Sequence, residues 1–365
     1  MMQMYKNRYE FGVSLLKDGM NWRYNDIGSR VPMIKAFTGN IEHFNLENKK
    51  DISKIALDSL SLYFIEAIGC LELLKNCSEI YIDYKTITLL TSDLLINEDV
   101  KIRRILHFIK TSSNIVFAFP SLSGKDEISK FNVKKPDASS FLCLLNTCVI
   151  AHDNNIPIVY LDMLAQPLSK ITGAETISIL AFAKSAHALG WLKDTEFGSA
   201  LLCMSELNYM FMNIDCSDLY YSLFVKNFCI DKAIKKLFEI LPSADAQSYV
   251  PVFIGLLQRL RMEGRQGATE NTVIAFVEAL DKRHGRTRAA YWRAREDQDT
   301  LTLNRIEYTR IACEAGIAGV CAFLLDFMSF DEIRNMVCEK ATRIPVENRT
   351  AILNLAKDIY SAKLK

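Results

Sequence analysis

Three aspartates stand where a parallel α/β sheet brings side chains together. Asp58 follows the apolar run Ile55-Ala56-Leu57, and Asp162 follows Val159-Tyr160-Leu161. Asp137, after Pro136, opens a helical stretch that runs to about His152, just ahead of the second of these runs. Ligands of such sheets bind beyond the carboxyl ends of the strands. If the two strands are neighbours, the three carboxylates converge. Clustered carboxylates repel one another and stay ionised only beside a cation. Hard oxygen ligands with room for water select Mg2+ or Mn2+. Such an ion acidifies a water and offsets the charge that builds on a phosphate under in-line attack. On spacing alone a plainer reading stands beside this one, because Asp is a common helix cap at strand-to-helix turns. Asp83 ends the run Glu79-Ile80-Tyr81-Ile82 in the same way.

The elements that must position these residues are legible from residue 52 onward. Apolar spacing predicts a helix over Ser61 to Leu74, a strand over Glu79 to Asp83, and helices over Tyr84 to Leu95 and Asp99 to Thr111. The β-branched and aromatic stretch Asn114 to Phe119 reads as a strand, as does Ile156 to Leu161. Helices follow over Ala174 to Leu189, closed by Gly190, and over Asp194 to Tyr209, with a last short strand over Phe211 to Ile214. Strands that alternate with helices imply a parallel sheet with helices on both faces. Residues 1–54 give no clear pattern and are assigned to an N-terminal arm.

The character of the chain changes near residue 241. Before it there are 21 Lys and 5 Arg; from it onward there are 5 Lys and 13 Arg. Every later segment reads as helix: Ala246 to Met262, Thr269 to Lys282, Leu301 to Ala315, Gly316 to Met328, Phe330 to Ala341 and Val346 to Lys363. The expected organisation is therefore an arm (1–54), an α/β domain (55–240) and an all-α domain (241–365).

Three stretches in fixed order resemble one known family. The first is Ala56-Leu57-Asp58-Ser59-Leu60-Ser61-Leu62, followed by Ile68-Gly69-Cys70-Leu71-Glu72-Leu73-Leu74 and the strand Ile80 to Asp83. The second is Pro136-Asp137-Ala138, leading to His152-Asp153-Asn154-Asn155-Ile156-Pro157 and the strand before Asp162. The third is Thr176 to Leu189, then Gly190-Trp191-Leu192-Lys193-Asp194-Thr195-Glu196-Phe197 and Leu207 to Met212. Together, residues 52 to about 225 resemble a PIN domain, the metal-dependent ribonuclease fold. The closest likeness is to the bacterial branch in which it accompanies TPR repeats and a GreA/GreB-like C-terminal module. The resemblance implies a PIN-like fold and an endoribonuclease that hydrolyses RNA with Mg2+ or Mn2+ held by Asp58, Asp137 and Asp162. A toxin or defence role and a homodimer are also what it implies. One departure bears on activity. The family commonly carries Ser-Asp-Asp or Thr-x-Asp after the fourth strand, and here Tyr160-Leu161-Asp162-Met163 lacks the hydroxyl and one acid. The alternative function is thus a catalytically weakened PIN-like scaffold that binds RNA or a protein partner, the latter through the C-terminal helices.

A basic stretch offers a second candidate surface. Nine Lys or Arg and four acids lie between Arg259 and Arg295, a net charge of +5 in a chain whose total is only +1. Arg283, Arg286, Arg288, Arg293 and Arg295 interleave with His284, Tyr291 and Trp292. Arginines grip phosphates and rings stack on unpaired bases, so these five are candidate RNA contacts. A salt-bridged helix pair or a protein interface produces the same pattern.

Other features carry less. Asp215 and Asp218 read as caps of the next helix, Glu66 as a helix-surface residue, and His152 and His187 as solvated or core histidines. Ser121-Leu122-Ser123-Gly124-Lys125 lacks the first glycine of a phosphate loop. The ten cysteines include no C-x-x-C pair, which argues against zinc knuckles and thioredoxin-like sites and for free thiols in a reducing compartment. The near-neutral charge excludes a uniformly basic nucleic-acid coat. The longest apolar stretch, Gly316 to Leu325, is far short of the ~20 residues of a membrane span. A cytoplasmic protein is the expectation.

Overall fold

Short apolar runs bounded by turn residues become the strands of one sheet. The computed structural model describes residues 51–97, 99–121, 140–160, 172–207, 209, 214–240, 246–296 and 300–364. Five strands are present among them: β1 (Lys54–Leu57), β2 (Glu79–Asp83), β3 (Ile115–Ala118), β4 (Ile158–Tyr160) and β5 (Thr176–Ser178). All pair in parallel, in the order β3-β2-β1-β4-β5. The registers Leu57↔Ile82 and Leu57↔Val159 place β1 at the centre. Its residues Ile55, Ala56 and Leu57 are fully buried, as a strand covered on both faces requires.

Helices α1 (Ser59–Ala67), α2 (Tyr84–Asn97), α3 (Val100–Thr111), α4 (Ser140–Asp153), α5 (Ile179–Ala188) and α6 (Asp194–Glu206) accompany the sheet. The crossover helix α4 packs on β1, β2 and β4, and α5 on β4 and β5. Asp58, Asp99 and Ser178 cap α1, α3 and α5, each side chain accepting a backbone N–H of the first turn.

Two expectations are corrected here. The helix over Ser61 to Leu74 is instead α1 plus a separate 3-10 turn, Leu71–Asn76. Gly69, at φ +74°, turns the chain out of the helix between them. The stretch Ala174 to Leu189 is not helical throughout. Thr176-Ile177-Ser178 pairs with β4 as edge strand β5, and the Ser178 hydroxyl then starts α5. The N-terminal arm up to residue 50 and the expected strand residues Phe211 to Asn213 lie outside the described residues.

The chain divides into two compact units, one ending at Leu207 and the other beginning at Asn208. The second is helical: α7 (Cys216–Val225), α8 (Lys232–Ile240), α9 (Ala246–Met262), α10 (Gln266–Glu296), α11 (Thr300–Leu324), α12 (Phe330–Lys340) and α13 (Val346–Lys363). Asp215 and Asp218 form a capping box at the start of α7, as expected. The composition change at 241 falls inside this unit, between α8 and α9. The expected break before Gly316 is absent, and α11 runs through it. A Cβ at Gly316 would lie 3.1 Å from Leu280 Cδ1, and one at Gly319 would lie 3.1 Å from Val250 Cγ1. These glycines let α9 and α10 approach α11, and that packing outweighs their poor helix propensity. The core is ringed by Phe238, Phe253 and Phe276, from α8, α9 and α10. Phe253 stacks on Phe276 with centroids 3.6 Å apart and meets Phe238 edge-on at 4.9 Å. Among the described residues no helix is long and apolar enough to cross a membrane.

Candidate active site

The strand order reverses direction at β1. The chain builds outward through β2 and β3, then returns to lay β4 and β5 on the other side. Such a reversal opens a crevice beyond the carboxyl ends of the two flanking strands, here β1 and β4. Asp58 sits at that point. Its backbone is still extended, at φ −92° and ψ 173°, and its Oδ1 accepts the Ser61 N–H at 2.9 Å. Ser61 in turn donates its hydroxyl to the Val159 carbonyl at 2.8 Å, which ties the start of α1 to β4. Asp58 is only 2% exposed, and burial pushes its carboxyl up to about 6 against the opposing hydrogen bonds from Ser61.

Asp83, dismissed from the sequence as a common strand-end acid, occupies the equivalent position on β2. The register Leu57↔Ile82 makes Asp58 and Asp83 the next residues of two adjacent strands. Asp83 is 1% exposed and accepts Asn146 Nδ2 of α4 at 2.8 Å through Oδ2. Burial raises its carboxyl above the usual range. The thiol of Cys143, also on α4, feels both carboxylates and is pushed up to about 12, chiefly by burial. It is therefore a neutral wall of the site and not a thiolate.

Asp137 and Asp162 lie outside the described residues. The described neighbours show where the chain leads to them. Asp162 follows two residues after the end of β4, the strand beside β1, and Asp137 precedes α4 by three residues. Among the described residues no group of three or more His, Cys, Asp or Glu is arranged to hold a metal ion.

The remaining candidates fall as follows. Glu66 is not a surface residue: it is buried in α1 and meets Arg104 of α3 at 2.6 Å. His187 pairs with Asp194 at 2.8 Å and stacks on Phe197. All ten cysteines are free, and six of them are buried. Of the candidate RNA contacts on α10, Arg286 is exposed and lies 3.8 Å from Glu239 of α8. Arg295 is exposed, whereas Arg283 is half-buried beside the Cys313 thiol. The side chains of Arg288 and Arg293 lie outside the described residues. At the carboxyl edge of the sheet, an aromatic pair was not foreseen. Tyr84, directly after β2, stacks on Phe119, just beyond β3, with centroids 5.6 Å apart, and they are 51% and 65% exposed.

Comparison with protein-family models, with curated proteins and with solved structures finds no match for this chain. What the fold and site define is a class: an α/β unit with a five-stranded parallel sheet and buried acids at its carboxyl edge, followed by a largely helical unit.

The raised carboxyl of Asp58 has a signed consequence for stability. The group ordinarily titrates near 3.8 and in the fold near about 6. Between these values the folded state keeps a proton that the unfolded chain has released. Stability therefore falls as pH rises through that window and levels off above it, by about 2–3 kcal/mol. Asn caps a helix as well as Asp does and carries no charge to bury. In metal-free buffer, Asp58→Asn is expected to be more stable than wild type above pH 6 by about that amount. The gap closes below pH 4. Urea midpoints at pH 4 and pH 7.5 measure both.

Proposed function

We propose that the α/β unit is a divalent-metal-dependent endoribonuclease whose centre is built from Asp58, Asp137 and Asp162. The observation that carries this reading is the placement of Asp58, a buried acid at the point where the sheet order reverses. The strand on its other flank, β4, is the one that leads to Asp162. The donor set fits a hard ion, since carboxylate oxygens are at hand and burial keeps the Cys143 thiol protonated. Buried Asp83 adds an oxygen, Oδ1, that has no hydrogen-bond partner. Mg2+ or Mn2+ at these carboxylates supplies a positive charge to the phosphate and an acidified water.

The chain's own residues set up that chemistry. Ser61 holds the Asp58 carboxyl through its N–H and fastens α1 to β4 through its hydroxyl. Burial excludes competing water and strengthens every charge interaction within. Near neutral pH Asp58 is mostly ionised, because its carboxyl titrates near about 6. RNA as substrate is supported by the exposed Tyr84–Phe119 pair at the same edge, a surface on which unpaired bases stack. The arginines of α10 are a further candidate contact.

The test is cleavage of single-stranded and hairpin RNA by the purified chain in Mn2+. Cleavage should stop on adding EDTA and be lost in Asp162→Asn. Cleavage indifferent to EDTA overturns the reading. A second reading, the non-cleaving PIN-like scaffold, is favoured by the near-complete burial of Asp58 and by the acid-poor stretch Tyr160 to Met163. RNA binding without any cleavage would establish it.

A further inference from the structure

The carboxyl end of β2 holds polar atoms that the three-aspartate centre does not use. Asp58 and Asp83 follow directly on the registered pair Leu57↔Ile82, and both strands are still extended there. Adjacent strands lie about 4.8 Å apart, and residues in register project to the same face. That face is covered by α4, which packs on both strands. Asn146 of α4 satisfies Asp83 Oδ2 and leaves Oδ1 without a partner. The Lys85 N–H also donates toward the Asp83 carboxylate and offsets part of the effect of burial.

Asp83 Oδ1 does not stand alone. The hydroxyl of Thr86, in the first turn of α2 and fully buried, has the Cys143 thiol as its neighbour and no oxygen or nitrogen partner. The hydroxyl of Ser59, which follows Asp58 and is fully buried, has no partner. Thr86 shares a hydrogen bond with the Cys143 thiol of α4, and the charges of Asp83 and Asp58 both act on that thiol. Lys85 is the cation that acts on Asp83, and it reaches the site from an exposed position. Buried polar atoms of native proteins almost always find partners, so the unpartnered Asp83 Oδ1 calls for one. A carboxylate and hydroxyls with no thiolate or imidazole select a hard cation.

We propose that Asp83, through Oδ1 and with the Thr86 hydroxyl beside it, is a ligand of the divalent cation held by Asp58, so that β2 contributes to the centre along with β1 and β4. The proposal rests on the metal-centre reading above and extends it to a strand that the three-aspartate arrangement omits. Asn146 is then a positioning residue. It donates to the distal oxygen and turns Oδ1 toward the ion, as outer partners of metal-bound carboxylates do.

Mn2+ titration of the full chain, followed by the electron-spin signal of the free ion, tests this without any nuclease assay. Asp83→Asn keeps the side-chain shape, and Thr86→Val keeps the volume while removing the hydroxyl. Asp83→Asn is expected to weaken Mn2+ binding at least tenfold, and Thr86→Val severalfold, the scale on which changes next to a metal act. The rise in Tm that Mn2+ gives wild type should shrink in step, and circular dichroism reports whether each variant is folded. Wild-type affinity in both variants, with binding lost in Asp58→Asn, overturns the role of Asp83 and leaves the metal centre standing. No Mn2+ binding by wild type overturns the centre and Asp83 with it. A gain in stability for Asp83→Asn at neutral pH with unchanged Mn2+ affinity would show that a buried proton, not a cation, occupies the site.

Discussion

Asp58→Asn should lower Mn2+-dependent RNA cleavage about a thousandfold while leaving a protein that is harder to unfold at neutral pH. The two effects share one cause. The carboxylate is buried at the end of β1, where its charge is costly to the fold. Removing the charge relieves the fold and, in the nuclease proposed above, deprives the transition state of several kcal/mol of stabilisation, at 1.36 kcal/mol per decade of rate. Helix α1 keeps its cap, since the amide oxygen of Asn accepts the Ser61 N–H as the carboxylate does. Single-turnover rates in saturating Mn2+, set beside urea midpoints, give both numbers on one preparation. A variant as active as wild type removes Asp58 from the centre. A variant that loses both activity and stability shows that the acid serves α1 and not catalysis.

Phe253→Ala is expected to destabilise the helical unit by about 3–5 kcal/mol, the range for truncating a buried aromatic ring. Phe253 is fully buried and touches rings on both neighbouring helices, edge-on to Phe238 and stacked on Phe276. No small shift of α9 can fill the gap, because Gly316 and Gly319 already hold α9 and α10 close against α11. Whole-domain stabilities run to about 5–15 kcal/mol, so the loss should be visible as a much earlier urea transition of the ellipticity at 222 nm. Met262→Ala, on the same helix but 89% exposed, serves as the control and should stay within about 0.5 kcal/mol of wild type.

The elements best read from the sequence are those whose signals are local. The runs Glu79–Asp83, Ile115–Ala118 and Ile158–Tyr160 are β-branched or aromatic and bounded by turns, and each is a strand. The cap at Asp215 likewise marks its helix from within a few residues. Distant causes are not legible in this way. β5 has three residues inside an apolar run and exists because β4 offers it an edge. Glu66 looks like a surface acid until Arg104, on another helix, meets it. Gly316 breaks the helical pattern on paper and permits close packing in the fold. At the site, Asp58 was legible because it follows a clear apolar run. Asp83 follows one too, and only the register with β1 and the vacancy at Oδ1 distinguish it from an ordinary cap.

The strand order also dictates when the crevice comes into being. β1 and β2 meet across short spans, as in the Lys54–Glu79 bridge between residues 25 apart, whereas the Ser61–Val159 hydrogen bond joins residues 98 apart. Closing the longer loop costs about 1 kcal/mol more in chain entropy. At a ribosome's pace of about 5–20 residues per second, β4 emerges several seconds or more after β2. During that interval β1 is an edge strand with an open apolar flank, the kind of edge that invites pairing with another chain. A nascent chain therefore gathers Asp58 and Asp83 early on a half-built sheet, and the crevice closes only when β4 docks and covers that edge.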